Sequence, residues 1–492
     1  MAGAGAAGAA RGDPEVTQVT SDSRAVRPGA VFFAVPGTRA DGHDFAAAAV
    51  RAGAVAVIAE RAVEVSPALL LLAPSSRRAL AVAAANLHGR PGDALTLCGV
   101  TGTKGKTTVT YLVEACAAAA RVPAGVVGTV TYRFPGASRP ASHTTPGAEE
   151  LQALLAEMVR AGTRLAVLEV SSHALAQERV AGLAFRAAGF TNLSRDHFDY
   201  HRDLEAYYQA KRRLFAEHLA ADGVAVVNAD DAHGARLAGE LREAGREAWR
   251  CSLSGPAELT AREVRSGLAG TAAVLGTPRG DLEVRSPLVG SHNLENLLCA
   301  AGLGLAVGLP PESVAAGLSA SPGAPGRLER IEGRGVAAFV DYAHTDESLS
   351  RACAALRPLV AGRLLVVFGC GGDRDRGKRP LMGLAAGRAA DLVVVTSDNP
   401  RTEQPSDIIA AIVPGLEQAG LRRISAAAAA RGERGYRVLP DRREAIAAAL
   451  AAARAGDAVL VAGKGHEDYQ LVGTEKRHLD DREEVRRALG VA

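Results

Sequence analysis

No two cysteines stand in a C-x-x-C pair, no stretch sustains strong hydrophobicity over the ~20 residues of a membrane span, and neither sign of charge dominates. Each absence excludes a class of protein. Lys plus Arg number 57 against 54 Asp plus Glu, a net charge of +3. That is too small for the broad basic field that nucleic acid or an anionic membrane calls for, so electrostatics should be local. The six cysteines, Cys98, Cys116, Cys251, Cys299, Cys353 and Cys370, are scattered. The scatter excludes a zinc site evident from spacing and fits reduced thiols in a cytoplasm. Without a spanning run, no membrane insertion is expected. The opening MAGAGAAGAARGDPE lacks a basic segment followed by a strongly apolar one, and reads as a frayed tail rather than a signal peptide.

What is present is 492 residues, 48% hydrophobic and 23% charged, the balance of a soluble globular chain. At ~150 residues per domain this length implies about three domains. Short apolar, β-branched runs alternate with Ala/Leu-rich helical stretches: LTLCGV (95–100), LAVLEV (165–170), VAVVN (224–228), RLLVVFG (363–369), LVVVTSD (392–398) and AVLVAGKG (458–465). Continuous apolar strands separated by helices predict an α/β fold with parallel sheets covered on both faces, and ligand loops at the carboxyl edges. Pro/Gly clusters at RPGD (90–93) and SPGAPGR (321–327) mark the connections. The expected domains are therefore 1–93, 94–324 and 325–492, and AAAAARGERG (426–435) reads as a low-complexity extension without function.

GVTGTKGKTT (99–108) lies between a predicted strand and a helix. Val100 stands where the strict G-x-x-x-x-G-K-[ST] pattern needs glycine, leaving a shorter G-x-x-G-K-T from Gly102 to Thr107. The physics survives the shortening. Glycines let backbone N–H groups turn toward phosphate, Lys106 supplies a cation and Thr107 a hydroxyl for Mg²⁺. ATP or GTP binding follows. Glu169 ends the strand LAVLEV, where a carboxylate can reach a metal held by that loop. His197 sits in TNLSRDHFDYH (191–201); alone it would read as a structural hydrogen bonder. Lys211, in LEAYYQAKRRLF, reads by itself as a solvated helix lysine.

Together TGTKGKTT, EVSSH, NLSRDHFDYH followed by Lys211, GSHNLENLLCA (290–300), PGRLE (325–329) and DYAHT (341–345) resemble the Mur ligases, the ATP-dependent amide-bond ligases of peptidoglycan precursor synthesis. The resemblance runs in order over nearly the whole chain. It implies a central phosphate-loop ATPase domain, flanked by an N-terminal α/β domain for a UDP-sugar and a C-terminal Rossmann-like domain for an amino acid. Within the family the pattern is closest to the branch that adds a third amino acid to UDP-N-acetylmuramoyl-L-alanyl-D-glutamate. In that chemistry a substrate carboxylate takes the γ-phosphate of ATP, and the incoming amine displaces phosphate from the acyl phosphate.

The family's roles then fall on residues here. Gly102, Thr103, Lys104, Gly105, Lys106, Thr107 and Thr108 would hold the phosphates. Thr107, Glu169 and His197 would serve as magnesium ligands, directly or through water, with Lys211, as a carbamate, for a second magnesium. Lys106, Glu169, His197 and Lys211 form the implied catalytic set. Asn293 and Asn296, i and i+3 on one helix, suit adenine or nearby polar groups, and Arg327 and Asp341 suit phosphate and ribose. Because Arg327, which ends the SPGAPGR connection, and Asp341 lie across it from the phosphate loop, ATP is expected to draw domains together and exclude water.

For the UDP-muramoyl dipeptide the resemblance implies Ser21, Ser23, Thr38, Arg39 and Ala40, then His143, Thr144, Thr145, Ser171, Gln177 and Arg179. For the third amino acid it implies Arg374, Asp398, Asn399, Pro400, Arg401, Gly463 and Glu467. The loop TSDNPRTEQPSD (396–407) discriminates: diaminopimelate-adding relatives carry D-N-P-R, and lysine-adding relatives typically replace the arginine by a neutral residue. Arg401 therefore points to a second carboxylate on the substrate; the diamino diacid that the resemblance implies is meso-2,6-diaminopimelate. Three positions depart from the expected pattern: Lys104 for asparagine, Asp346 for proline after DYAHT, and His143 for asparagine. Rival readings are a lysine-adding, other muramyl-peptide or folylpolyglutamate-type ligase, opposed by SSHALAQER and DNPR, and a non-catalytic nucleotide-binding scaffold, opposed by intact Lys106, Glu169, His197 and Lys211. Small-molecule substrates, no nucleic acid and a monomer are expected.

Overall fold

The computed structural model describes residues 15–37 and 40–491. Its first sheet has four parallel strands, Gln18–Thr20, Ala30–Phe33, Ala54–Ala59 and Leu69–Leu72, side by side in chain order. Alternation along Ala30–Phe33 sends Val31 and Phe33 to one face, against Ala79, Leu80 and Ala84 of the helix Ser76–Leu87, and Phe32 to the other, with Ala46 and Ala49. Both faces are covered, so the strand reads as an unbroken apolar run.

The middle sheet centres on six parallel strands in the spatial order Ala248–Ser252, Leu219–Asn228, Phe185–Phe190, Thr96–Thr101, Leu165–Glu169 and Ala124–Val127. Thr96–Thr101, which leads into the glycine-rich loop, is flanked by Leu165–Glu169 and Phe185–Phe190. Glu169 and Thr191 therefore emerge on either side of that loop. In the third sheet Glu329–Gly333 runs antiparallel to Val336–Asp341, followed in space by the parallel strands Ala458–Ala462, Leu364–Phe368, Leu392–Val395 and Gly435–Val438. The last strand in sequence is inserted between two earlier ones. That reversal leaves a crevice at the carboxyl edge, where ligands bind in open α/β sheets.

The described residues form two compact units. One runs to Thr260 and adds Gly276–Leu282 and Glu295–Leu318; the other comprises Ala261–Leu275, Glu283–Leu294 and the chain from Ser319. The six strand runs read from the sequence are all strands. The segment read as a low-complexity extension is instead built into the third sheet. Ser425 caps the helix Ala426–Arg431 by accepting from the Ala428 N–H, Ala428 and Ala429 are buried, and the segment continues into Gly435–Val438. Alanine there is small enough to pack closely, which low complexity alone does not reveal. All six cysteines are free and buried. Among the described residues no helix is long and apolar enough to cross a membrane. Residues 1–14 of the N-terminal segment, Thr38 and Arg39 lie outside the described residues.

Candidate active site

The glycine-rich loop carries Thr101 into the helix Lys106–Ala119, which Thr107 and Thr108 help to open. Gly102 and Gly105 have φ of +144° and +89°, and a Cβ on Gly105 would lie 2.5 Å from Asn296 Oδ1. Thr191 and Asn192, from the neighbouring strand end, hold the turn. Thr191 Oγ1 donates to the Lys104 carbonyl (2.6 Å), while the Lys104 N–H donates to Asn192 Oδ1 (3.0 Å). These bonds use only the backbone of residue 104, which is why lysine can stand there in place of asparagine. Lys106 Nζ folds back on the carbonyls of Gly102 (2.8 Å) and Thr103 (3.0 Å).

Glu169 is buried and accepts from Thr107 Oγ1 (3.1 Å), Thr129 N–H (2.8 Å) and Thr129 Oγ1 (3.0 Å). Burial of a carboxylate is tolerable because hydrogen bonds compensate it. Thr129 was not anticipated, because it reaches Glu169 only once the strand Ala124–Val127 pairs beside Leu165–Glu169. The oxygens of Thr107 and Glu169 form a hard-donor set suited to magnesium, which retains water and substrate oxygens and so needs few protein ligands. Among the described residues no three His, Cys, Asp or Glu side chains gather as a metal cluster.

Lys211 corrects the bare reading of its helix. It is not solvated but buried, with Nζ donating to the Gly102 carbonyl at 2.8 Å and lying 4.4 Å from the Tyr207 ring. Desolvation first, then the charge of Lys106, hold its pKa well below the usual lysine range, which favours a neutral amine. His197 lies across Tyr207, ring centroids 6.0 Å apart, and stacks edge-on to His173 at 4.9 Å. Its φ of +55° is left-handed, uncommon outside glycine though histidine is among the residues that adopt it more often. Desolvation lowers the pKa of His197 and of His173, and pushes His201, whose Nε2 meets Ser172 Oγ at 2.9 Å, down to about 4.

A second patch joins several residues of the dipeptide set. Thr145 Oγ1 donates to the Glu169 carbonyl (2.7 Å) and accepts from the Ser171 N–H (3.1 Å), tying this patch to the backbone of the buried carboxylate Glu169. Arg179 donates to the Thr145 carbonyl (2.6 Å) and, through Nη2, to Gln177 Oε1 (2.7 Å). Thr144 Oγ1 lies 3.1 Å from Thr129 Oγ1. His143 is exposed and contributes its backbone to Tyr132, its carbonyl accepting from the phenol at 2.6 Å. Ser21, itself exposed, bonds Glu149 through both N–H (3.0 Å) and Oγ (3.2 Å); Ser23 is half-buried and Ala40 is exposed.

In the other unit Asp341 accepts from the N–H groups of Leu328 (2.7 Å) and Ala343 (2.8 Å), and the Arg327 guanidinium lies 4.8 Å over the Tyr342 ring. Asn293 Nδ2 donates to the Val289 carbonyl. Asp346, where proline was expected, opens the helix Asp346–Leu356 behind a Thr345/Ser348 capping box, a position that favours an acid.

The loops Thr396–Arg401 and Gly463–Glu467 meet at the carboxyl edge. A Cβ on Gly463, at φ +122°, would fall 2.5 Å from Asp398 Oδ2; a Cβ on Gly371 would fall 2.9 Å from Arg401 Nη1 and 3.8 Å from Arg374 Cγ. Two arginines thus flank the Gly371 backbone. Asn399 Nδ2 donates to Glu467 Oε2 (2.9 Å), and Lys464 Nζ donates to Asn399 Oδ1 (3.1 Å). Arg401 has φ +52°, and its Nη1 donates to the Gly372 carbonyl at 2.7 Å. Pro400 is buried behind it.

A strand, a glycine loop and a helix carrying Lys106 and Thr107 against a buried carboxylate define a phosphate-loop nucleotide enzyme, here joined to a second α/β unit with paired arginines. The chain belongs to the Mur ligase family, whose members are ATP-dependent amide-bond-forming ligases. The Mur ligase family catalytic domain matches residues 15–90, the Mur ligase middle domain 100–304, and the glutamate ligase domain 326–465. It is similar to the UDP-N-acetylmuramoyl-L-alanyl-D-glutamate–2,6-diaminopimelate ligase of Geobacter metallireducens, 46% identical over 96% of this chain and 93% of that one. The enzyme of the same name from Gloeobacter violaceus is 47% identical over 97% and 94%. A solved structure of such a ligase, 36% identical, covers 96% of this chain and 95% of its own, with a TM-score of 0.72. Mycobacterium tuberculosis folylpolyglutamate synthase complexed with ADP shares the fold at a TM-score of 0.62, 21% identity, 78% of this chain and 91% of that one.

Proposed function

We propose that this chain joins meso-2,6-diaminopimelate to UDP-N-acetylmuramoyl-L-alanyl-D-glutamate at the expense of ATP, a cytoplasmic step in building peptidoglycan precursors. The observation that carries the reading is Arg401 and Arg374 about the Gly371 backbone, with Glu467 bonded to Asn399 two residues before Arg401, in a chain that also keeps Lys106, Thr107, Glu169, His197 and Lys211. Two arginines answer two carboxylates, and Glu467 answers the distal ammonium. Near-half identity over almost the full length to ligases named for diaminopimelate supports it. Six free cysteines and a substrate activated with UDP support the cytoplasm.

In this reading Lys106 swings from the loop carbonyls onto the transferring phosphate, neutralising charge as the acceptor carboxylate becomes an acyl phosphate. Thr107, Glu169 and His197 would hold magnesium, which supplies further positive charge to the phosphates. Lys211, buried and favoured as the neutral amine, is suited to add CO₂ through its nitrogen and give up one proton to solvent; the resulting carbamate anion would be able to hold a second magnesium. Thr145, Ser171 and Arg179 orient the dipeptide beside the Glu169 strand end. The diaminopimelate amine then attacks the acyl carbon and phosphate leaves. The domains 1–93, 94–324 and 325–492 carry, in turn, the UDP-sugar, ATP and the amino acid. Phosphate release tests the reading: it should require UDP-muramoyl dipeptide and diaminopimelate together. Release indifferent to either one contradicts it.

A further inference from the structure

Of the buried cations that the roles above leave unused, Lys464 touches residues assigned to the amino acid. Lys464 follows the strand Ala458–Ala462 and has no exposed surface. Its Nζ donates to Asn399 Oδ1 at 3.1 Å, lies 3.5 Å from Glu467 Oε2 and faces the Tyr469 ring at 5.5 Å. A buried ammonium costs stability unless acceptors surround it, and these acceptors are both residues assigned to the substrate.

Asn399 relays that constraint. Its Oδ1 also accepts from the Leu471 N–H (2.9 Å), its Nδ2 donates to Glu467 Oε2 (2.9 Å), and its carbonyl accepts from the Gly372 N–H (2.9 Å). Two residues on, the Arg401 N–H donates to the Leu471 carbonyl (3.0 Å), and the Gly473 N–H donates to the Arg401 carbonyl (2.7 Å). Asn399 is therefore the point at which the loop bearing Arg401, the loop bearing Glu467 and the hairpin Tyr469–Val472/Glu475–His478 are tied together, and Lys464 is the buried cation that holds Asn399 and Glu467 in place.

We propose that Lys464 is a positioning residue for the incoming diamino diacid. It fixes the Glu467 carboxylate and Asn399 directly, and through Leu471 it fixes the backbone that presents Arg401, so that one substrate must offer an ammonium and a carboxylate at a set separation. The inference rests on the assignment of Arg401 and Glu467 to the amino acid. A lysine with a merely structural role would change thermal stability and leave the KM for diaminopimelate where it was.

Steady-state kinetics of the full chain decide the matter, using wild type, Lys464→Met and Lys464→Arg. Lys464→Met should raise the KM for diaminopimelate about tenfold or more, as expected for losing a charge-assisted hydrogen bond, while the KM for ATP stays within about twofold. It should also narrow the preference for diaminopimelate over lysine, and Lys464→Arg should recover part of both. If Lys464→Met does not fold, Lys464→Gln, which keeps a donor to Asn399 but loses the ion pair, should show the same KM split. An unchanged KM for diaminopimelate, or equal rises for ATP and diaminopimelate, overturns the positioning role alone. A wild-type chain that does not use diaminopimelate overturns the proposed function, and the inference with it.

Discussion

The phosphate loop and the amino-acid loops are both glycine-dependent turns at the carboxyl edge of a parallel sheet, yet they are held in different ways. Around Lys106 the side chains of Lys106, Thr191 and Asn192 grip the loop by its backbone, at the Gly102, Thr103 and Lys104 carbonyls and the Lys104 N–H. Around Arg401 side chains bond one another, Asn399 to Glu467 and Lys464 to Asn399. A backbone-built site tolerates side-chain exchange, as at Lys104, and suits a reaction common to many substrates. A side-chain-built site changes with single residues, and suits the part that selects one substrate.

Breaking the two sites should separate reaction from selection. The largest effect is expected for Lys106→Ala: steady-state phosphate release should fall roughly a thousandfold, whichever amino acid is supplied, because charge on the transferring phosphoryl group is no longer neutralised. Next comes Arg401→Ala, which should raise the KM for diaminopimelate about a hundredfold, the scale of a lost charged hydrogen-bond pair, while ATP binding measured by calorimetry is unchanged. Equal loss of ATP binding would erase the distinction. Gly463→Ala sharpens it, since the added methyl meets Asp398 at a backbone φ of +122°. Strain of about 1–3 kcal/mol should appear as a lower Tm and roughly tenfold weaker use of diaminopimelate, with phosphate-loop binding intact. The smallest effect is expected at Ser425→Ala, a lost helix cap worth about 1 kcal/mol in unfolding experiments, with no change in turnover.

The strands and the phosphate loop were legible because each is local: an apolar run, or a short motif whose backbone does the work. Glu169 was legible as a strand end, but its partner Thr129 was not, because the two meet only when Ala124–Val127 pairs beside Leu165–Glu169. Lys211 was misread as solvated, since nothing in a helical stretch tells which face turns to the Gly102 carbonyl. Lys464 was passed over for the same reason. Its partners lie 65 residues away in Asn399 and three away in Glu467, and only the fold joins them. The alanine-rich stretch 426–435 was taken for a low-complexity extension because composition does not report packing.

The claim that Arg401 selects a second carboxylate is tested most directly by measuring kcat/KM for diaminopimelate and for lysine side by side, in the wild-type chain and in Arg401→Ala. The account predicts a strong preference for diaminopimelate in the wild type, largely abolished by the substitution. Equal use of both amino acids by the wild type, or a preference that survives in Arg401→Ala, would contradict it.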